Sequence, residues 1–206
     1  MRVRLRKDLH DEDSSNYRWT DAELERHIGR AVAELSLACP LEAKATLTTT
    51  AGSRELSVSS LSGLVAIEAV EYPAGQYPTS YAQFSLWANA LTLLIDNVPG
   101  GSESVNVYYG KLHTLDASSS TIPSRLEDLV ATGAAAYAAL EWASFATNRV
   151  NVGGSQTWQS YLTWGQERLA AFAGGLARLG RKNAVRARRL YRPCEPKASQ
   201  SMDWGP

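Results

Sequence analysis

The sequence predicts an α+β protein. We expect a helical bundle, made of N-terminal helices plus a C-terminal helical hairpin, with an inserted small antiparallel β-sandwich or barrel and an extended C-terminal tail. Apolar residues recur at helical spacing up to residue 40, alternate singly within 41–115, and return to helical spacing after residue 122. These three observations divide the chain into three parts. One helical domain comprises residues 1–40 and 122–180, a β-rich insertion comprises residues 41–121, and an extended basic tail comprises residues 181–206.

The N-terminal block contains the clearest local signal in the chain. Thr20 and Glu23 have the spacing of a capping box, and Trp19 and Leu24 are placed to form a hydrophobic staple across the same turn. The following apolar residues keep helical spacing until Pro40: Leu24, Ile28, Ala31, Leu35 and Ala38. Before this helix, residues 1–10 predict a short helix with three partly buried side chains, Val3, Leu5 and Leu9.

The middle block predicts six short strands separated by Gly and Pro turns. Its residues alternate between apolar and polar and are rich in Thr, Ser, Val and Tyr, which is typical of antiparallel sheets with one buried face. The expected strands are 44–50, 55–59, 64–72, 81–87, 91–95 and 104–113. Between two of them, residues 72–81 carry three Tyr and two Pro, and we expect an exposed loop of the kind that contacts partners.

A helical hairpin is predicted after residue 122. Pro123 favours the first turn of a helix, and the middle of that helix, 133–139, is almost entirely Gly and Ala, so another helix can approach it closely. After a loop at 148–154, Ser155 can cap a second helix. Its apolar face is Trp158, Tyr161, Leu162, Gly165, Leu169, Phe172, Leu176 and Leu179, and three glycines weaken its end near Gly180. After Gly180 we expect either a short further helix or an arm that orders only on binding.

Charge is unevenly distributed although the formal net charge is zero. Seven basic side chains and no acid lie between Arg178 and Arg192, which favours contact with an acidic protein surface or with nucleic acid; a solvated arm is the alternative. Trp204 is an apolar anchor in the otherwise polar end of the chain. Three aromatic residues on the two helices of the hairpin are candidates for a subunit interface: Tyr137, Trp142 and Trp164.

Motifs that would indicate an enzyme are missing from the sequence. The three histidines are not in zinc-binding spacings, and Cys39 and Cys194 are too far apart in sequence to suggest a ligand set. Phosphate-binding glycine loops and nucleophile elbows are also missing. Glu141 is the one acid in an otherwise apolar stretch, for which a rim position or an ion pair is the expected role. We therefore predict a non-enzymatic protein without a metal or cofactor.

The order of parts resembles the head-to-tail connector (adaptor) proteins of tailed bacteriophages. The resemblance is carried by the opening helix of residues 2–8, the helix start at Trp19-Thr20-Asp21-Ala22-Glu23-Leu24, the end of the β insertion at Val105-Asn106-Val107-Tyr108-Tyr109-Gly110, the helical hairpin and the tail. The resemblance implies a virion neck protein, made in the host cytoplasm, that forms a ring of twelve copies under the portal ring. It also implies a tail-side partner (a stopper or nozzle protein), passage of genomic DNA through the central channel without sequence-specific contact, and no contact with a membrane.

The same resemblance implies that the C-terminal segment binds the portal protein. The expected portal-binding residues are Arg181, Lys182, Arg186, Arg188, Arg189, Leu190, Tyr191, Arg192 and Trp204. Two alternatives remain at the level of sequence. The basic tail would suit a nucleic-acid-binding module, and the 72–81 loop would suit a β-type module that binds carbohydrate or a host surface.

Overall fold

The computed structural model describes residues 1–146 and 157–190, with side chains up to Val185. It confirms the α+β class. The helices are α1 (Arg2–Asp8), α2 (Asp21–Ala38), α3 (Ser124–Ala146) and α4 (Thr157–Leu190). The strands are β1 (Leu41–Thr48), β2 (Glu55–Ser57), β3 (Leu64–Glu71), β4 (Tyr81–Ala82), β5 (Phe84–Trp87), β6 (Ala90–Leu93) and β7 (Ser104–Lys111).

Helix α2 begins where the capping box predicts. The Thr20 hydroxyl accepts a hydrogen bond from the Glu23 backbone N–H at 3.3 Å, and the Glu23 carboxylate accepts one from the Thr20 backbone N–H at 2.7 Å. Such caps stabilise a helix by about 1 kcal/mol. Trp19 and Leu24 are both buried in the core of the helical domain. The predicted start of α2 is therefore confirmed at the level of individual hydrogen bonds.

Helices α3 and α4 form an antiparallel hairpin with close contacts at three glycines. The neighbours of Gly133, Gly165 and Gly175 are, in that order, Phe172, Leu140 and Leu129. Helix α2 runs in the same direction as α4, because Trp19 contacts Tyr161 at one end and Ala38 lies near Gly180 at the other. The middle of α3 is buried on all sides, since residues 133–139 are covered by the rest of the domain.

The insertion is a sandwich of two antiparallel sheets. One sheet has the strand order β1-β7-β3-β4 and the other has the order β2-β6-β5. Their inner faces share one apolar core, which includes Leu56, Val58, Val70, Leu91, Leu93, Val105 and Val107. The strands lie close to their predicted positions. The expected strand 81–87 is interrupted at Gln83 and forms β4 and β5, and β1 begins at Leu41, directly after Pro40.

One expectation about the helical domain is wrong. Val3 is 72% exposed, because α1 turns Leu5 and the adjacent Leu9 into the core and leaves Val3 on its outer side. Of the two alternatives for the residues after Gly180, the structure has the helix: α4 continues without a break to Leu190, so residues 181–190 of the expected tail are helical. Its glycines do not end the helix because Gly175 packs on Leu129 and Gly180 lies close to the Ala38 carbonyl oxygen, and such contacts offset a poor helix propensity.

Some sequence predictions fall outside the described residues, namely the loop at 148–154, the Ser155 cap and the tail from Tyr191 onward. Among the helices that the structure describes, each is too short or too polar to cross a membrane.

An ion-pair network attaches α1 to the start of α2. The buried Arg6 guanidinium lies 2.6 Å from an Asp11 carboxylate oxygen and 2.7 Å from one of Asp21, and it donates to the Trp19 carbonyl at 3.1 Å. The hydrogen bond from Arg6 is the main cause of a lowered pKa at Asp21. Asp11 also accepts from the Arg18 backbone N–H at 2.7 Å. No local sequence pattern indicates this network, because it joins residues of separate elements.

We predict that Gly133→Ala destabilises the subunit by about 1–3 kcal/mol, the usual range for overpacking a core. A β-carbon at this position would lie 2.8 Å from the Phe172 ring. Gly174→Ala is the matched control, because its β-carbon meets nothing within 4 Å and should gain about 0.5–1 kcal/mol of helix propensity. Chemical denaturation of both variants measures the difference, and equal stabilities would contradict the described α3–α4 packing.

We predict that Arg6→Leu destabilises the chain by roughly 3 kcal/mol, because it leaves the carboxylate of Asp11 buried without its cation. Arg4→Leu is the control. The ion pairs of Arg4 with Glu127 and Asp128 are more exposed and should contribute less than about 1 kcal/mol. Thermal or chemical unfolding of the two variants measures the difference. A similarly small loss of unfolding free energy in both variants would contradict the stabilising role of the Arg6 network.

Candidate assembly surfaces

The predicted subunit-interface residues lie at different depths. Tyr137 is only 6% exposed: its ring meets Phe172 edge-on, and its hydroxyl donates to Glu34 at 2.6 Å. Burial, and then the bond to Glu34, raises the pKa of Tyr137 to about 12. A side chain so covered by its own subunit has little area to offer a neighbour, and a role of Tyr137 at a subunit interface stays a prediction.

Trp142 and Trp164 are half-buried and pack against the core of the helical domain. The Trp142 ring lies 5.6 Å from that of Trp19 and 5.4 Å from that of Phe145, while the Arg168 guanidinium lies 4.7 Å from the centre of the Trp164 ring. Much of each side chain is therefore used within the chain. Because part of each side chain remains exposed, a role of Trp142 and Trp164 at a subunit interface stays a prediction.

Glu141 forms the ion pair that its position in the sequence suggested. Its carboxylate contacts Arg26 and lies 2.6 Å from the His27 Nε2. Burial lowers the pKa of His27, although Glu141 acts in the opposite direction. This arrangement joins α2 to α3. In residues 1–146 and 157–190, no three His, Cys, Asp or Glu side chains are grouped to hold a metal ion.

His113 lies where the β insertion joins the helical domain. The His113 Nε2 is 3.0 Å from the Cys39 carbonyl oxygen, and its Nδ1 is 3.1 Å from the Thr121 carbonyl oxygen. The His113 backbone N–H donates to the Ser36 hydroxyl at 2.9 Å. A β-carbon at Gly110 would lie 2.6 Å from the Pro40 side chain, so the segments that enter and leave the β insertion also approach closely at this point. The β insertion is thus held firmly against the helical domain.

The 72–81 loop starts from a fixed base and presents an exposed aromatic ring. Glu71 is buried and accepts hydrogen bonds from the Gly75 backbone N–H at 2.7 Å, the Tyr108 hydroxyl at 2.7 Å and the Asn106 amide at 3.0 Å. These bonds, led by that from Gly75, lower the pKa of Glu71, and the bond to Glu71 raises the pKa of Tyr108 to about 12. Tyr77, beyond this base, is 99% exposed. The expected exposure is confirmed, and a partner for the loop stays a prediction.

A second exposed aromatic residue lies at the β5–β6 hairpin. Trp87 is 84% exposed and pairs with Ala90 across the turn, and the adjacent Leu86 is also exposed. Ala88 within this turn has a φ of 51°, a left-handed conformation that a β-carbon disfavours. Sequence alternation located the strand but could not show that this end of it is uncovered.

The basic end of α4 is solvent-exposed as far as its side chains are described. Arg178, Arg181 and Lys182 are exposed, and within the described part of the chain no carboxylate forms an ion pair with them. Arg186, Arg188, Arg189 and Leu190 continue the helix backbone. Tyr191, Arg192 and Trp204 lie outside the described residues. The expected portal-binding residues thus begin on a helix rather than on an extended arm.

We predict that acid weakens the base of the 72–81 loop through Glu71. Because its pKa in the folded protein is below the usual 4.5, its contribution to stability is present above that value and is lost as the pH falls through the folded pKa. Glu71→Gln should remove this acid-dependent part, whereas Gln at the exposed Glu55 should leave it intact. The rate of proteolysis of the loop, measured between pH 7 and pH 3, reports this acid-dependent loss of stability. Identical pH profiles for wild type and Glu71→Gln would contradict the prediction.

Comparison with known proteins gave a family match and a similar solved structure. The comparison with curated proteins gave no match. Among solved structures, a chain of the "Neck of empty GTA particle computed with C6 symmetry" is similar with a TM-score of 0.27 and 16% identity, over 79% of this chain and 86% of that chain. The family model described as SU10 adaptor protein matches residues 1–196. This match confirms the resemblance to phage head-to-tail adaptors and a structural role in the virion neck. The chain belongs to the SU10 adaptor protein family.

Proposed function

We propose that the chain forms a ring of twelve copies beneath the portal ring and joins the capsid to the tail, with genomic DNA passing through its channel during ejection. The family match over residues 1–196 carries this proposal. The structure supports it with a rigid helical domain, a separate β insertion and a basic helix end. A protein with three neighbours, namely its own copies, the portal above and the tail below, needs several independent surfaces of this kind.

The basic C-terminal segment is the proposed contact with the portal. Arg181 and Lys182 are exposed on the last described turns, and five further basic or aromatic residues follow that were expected from sequence to bind: Arg186, Arg188, Arg189, Tyr191 and Arg192. Since α4 continues to Leu190, the basic residues up to Arg189 are carried on a helix that is anchored on α3. Such anchoring lowers the entropy lost when the segment binds.

The β insertion is the proposed contact on the tail side. It is joined to the helical domain at one end only, through Pro40 and the residues after β7. Tyr77 and Trp87 are exposed large aromatic side chains of the kind that becomes a hot spot when a partner covers it. A stopper or nozzle protein that docks on the ring would be expected to contact one of these residues.

We predict that removing residues 181–206, which carry all of the proposed portal-binding residues, abolishes binding to rings of the portal protein from the same virus, while the rest of the helical domain and the β insertion stay folded. In the full chain, Trp204→Ala should weaken binding by about 2 kcal/mol, or roughly thirtyfold in Kd, as expected for an anchor residue. Trp87→Ala is the control, because it lies on the proposed tail side and should leave portal binding unchanged. Co-sedimentation with portal rings provides the measurement.

Undiminished portal binding by the truncated chain would reject the proposed portal contact. The same preparations distinguish the nucleic-acid alternative. A DNA-binding module would bind duplex DNA as an isolated chain, with an affinity that falls steeply as salt rises. The formal net charge of zero argues against such binding.

A further inference from the structure

Tyr77 lies at the end of the β insertion that is far from the helical domain. Strand β3 starts at the junction with the helical domain, because Leu64 pairs with Lys111, the last residue of β7. It then runs for 8 residues to Glu71, a length of about 25 Å at the usual rise of a strand. The 72–81 loop follows directly and carries Tyr77. We call this far end of the sandwich the tip.

Trp87 lies at the opposite end of the sandwich, toward the junction. After the loop, β4 pairs antiparallel with the last residues of β3, and β5 continues in that direction as far as Trp87. The turn after it is held by the Val58 backbone N–H, which donates to the Asn89 carbonyl at 2.9 Å. A few residues further on, Gly63 accepts a hydrogen bond from the Leu112 backbone N–H at 2.8 Å, next to the junction. A partner that docks on the tip therefore contacts one of the two exposed rings and leaves the other uncovered.

Hydrogen bonds join the loops of the tip into one unit. The three loops are 49–54, 72–81 and 94–103. The first and third are connected by the Ser102 backbone N–H, which donates to the Thr49 carbonyl at 2.9 Å. The second and third are connected by the Tyr72 hydroxyl, which donates to the Glu103 carboxylate. Loops held in this way lose little conformational entropy when a partner binds, so the tip is pre-organised for a contact.

Most of the charged side chains in these loops are engaged within the chain. The Arg54 guanidinium donates to the Ile95 carbonyl at 2.9 Å and to the Asp96 carbonyl at 2.7 Å. The Glu103 carboxylate accepts from the Gly100 backbone N–H at 3.1 Å as well as from the tyrosine described above. The carboxylate of Asp96 is the remaining charged group of the three loops. The surface that the tip offers a partner is therefore largely uncharged.

The exposed part of the tip consists of aromatic, apolar and small polar residues. Tyr77 is fully exposed, Leu94 and Val98 are exposed as well, and the rest of the loops is mainly Ser, Thr, Gly, Asn and Pro. Antibody paratopes use a similar mixture, in which Tyr supplies rigid contact area and small polar residues supply adaptable hydrogen bonds. An exposed ring on a fixed loop becomes a strong contact when a partner's pocket covers it.

We propose that the tip docks on the tail-side protein of the neck, with the Tyr77 ring in an uncharged pocket of that protein. The inference rests on the proposed function, in which the β insertion contacts the tail, and it selects Tyr77 over Trp87. Because charged groups contribute little at the tip, the contact is insensitive to salt. Carbohydrate is a poorer partner, since the carboxylates that could hold sugar hydroxyls, those of Glu71 and Glu103, already accept internal hydrogen bonds.

Joining of heads and tails in vitro tests the contact directly. Filled heads that carry the portal protein and the full-length chain are mixed with tails purified from the same virus, and electron microscopy counts the tailed particles. Tyr77→Ala should slow joining by about tenfold or more, whereas Tyr77→Phe, which keeps the ring, should stay within about threefold of the wild type. Trp87→Ala is the matched control and should join at the wild-type rate. Since both rings are exposed, all three variants should still fold and bind portal rings.

Salt dependence gives an independent readout of the chemistry of the contact. Raising the ionic strength from about 0.1 M to about 0.5 M should change the rate of joining of wild-type heads and tails by less than about twofold, because screening acts on charged groups. The heads are assembled before the salt is raised, so that the rate reports the tail contact alone. A steep fall in the rate of joining at the higher ionic strength would show an ionic contact and overturn the uncharged pocket.

The outcomes separate this inference from the function on which it rests. If Trp87→Ala heads lose joining and Tyr77→Ala heads do not, the tip is not the contact, and the β insertion still faces the tail. If Tyr77→Ala heads join tails normally but the resulting particles adsorb poorly to host cells, the loop binds a host surface and the inference is wrong. If both variants join like the wild type, the inference is wrong. If heads without the chain also join tails normally, the proposed function is wrong as well.

Discussion

The close packing of α3 against α4 is the constraint on which the rest of the structure depends. Three glycines allow the two helices to approach until Phe172, Leu140 and Leu129 touch the opposite backbone. The alanine-rich middle of α3 is then buried on every side, which makes it the centre of the helical domain. Because α2 packs on the same helix and the Arg6 network holds α1 to α2, each helix in the domain is fixed relative to α3.

This rigid domain explains how a large β insertion can be carried without loosening it. Strands β1 and β7 pair along their whole length, from Leu41 with Lys111 to Thr48 with Ser104, so the chain enters and leaves the insertion at adjacent points. His113 and Ser36 tie that point to the end of α2. The surfaces that the insertion exposes, Tyr77 and Trp87 among them, can therefore serve a partner on one side while the helical domain serves others.

Local patterns in the sequence predicted most of the elements, because caps and alternation depend on nearby residues. Such local patterns predicted the Thr20 capping box, the strands of the sandwich and the helical hairpin. The course of α4 beyond Gly180 was not, since tertiary contacts at Gly175 and Gly180 override glycine's low helix propensity. Likewise, no local signal shows that Tyr137 is covered by Phe172 or that Arg6 reaches Asp11, because these depend on how separate elements pack.

Electron microscopy of the purified virus neck tests the central claim most directly. The account predicts a closed ring of copies of this chain between the portal and the tail, with helical domains side by side around the DNA channel and the C-terminal segments rising to the portal. Particles that lack the chain at the neck, or that carry it as isolated copies on the outside, would contradict the account.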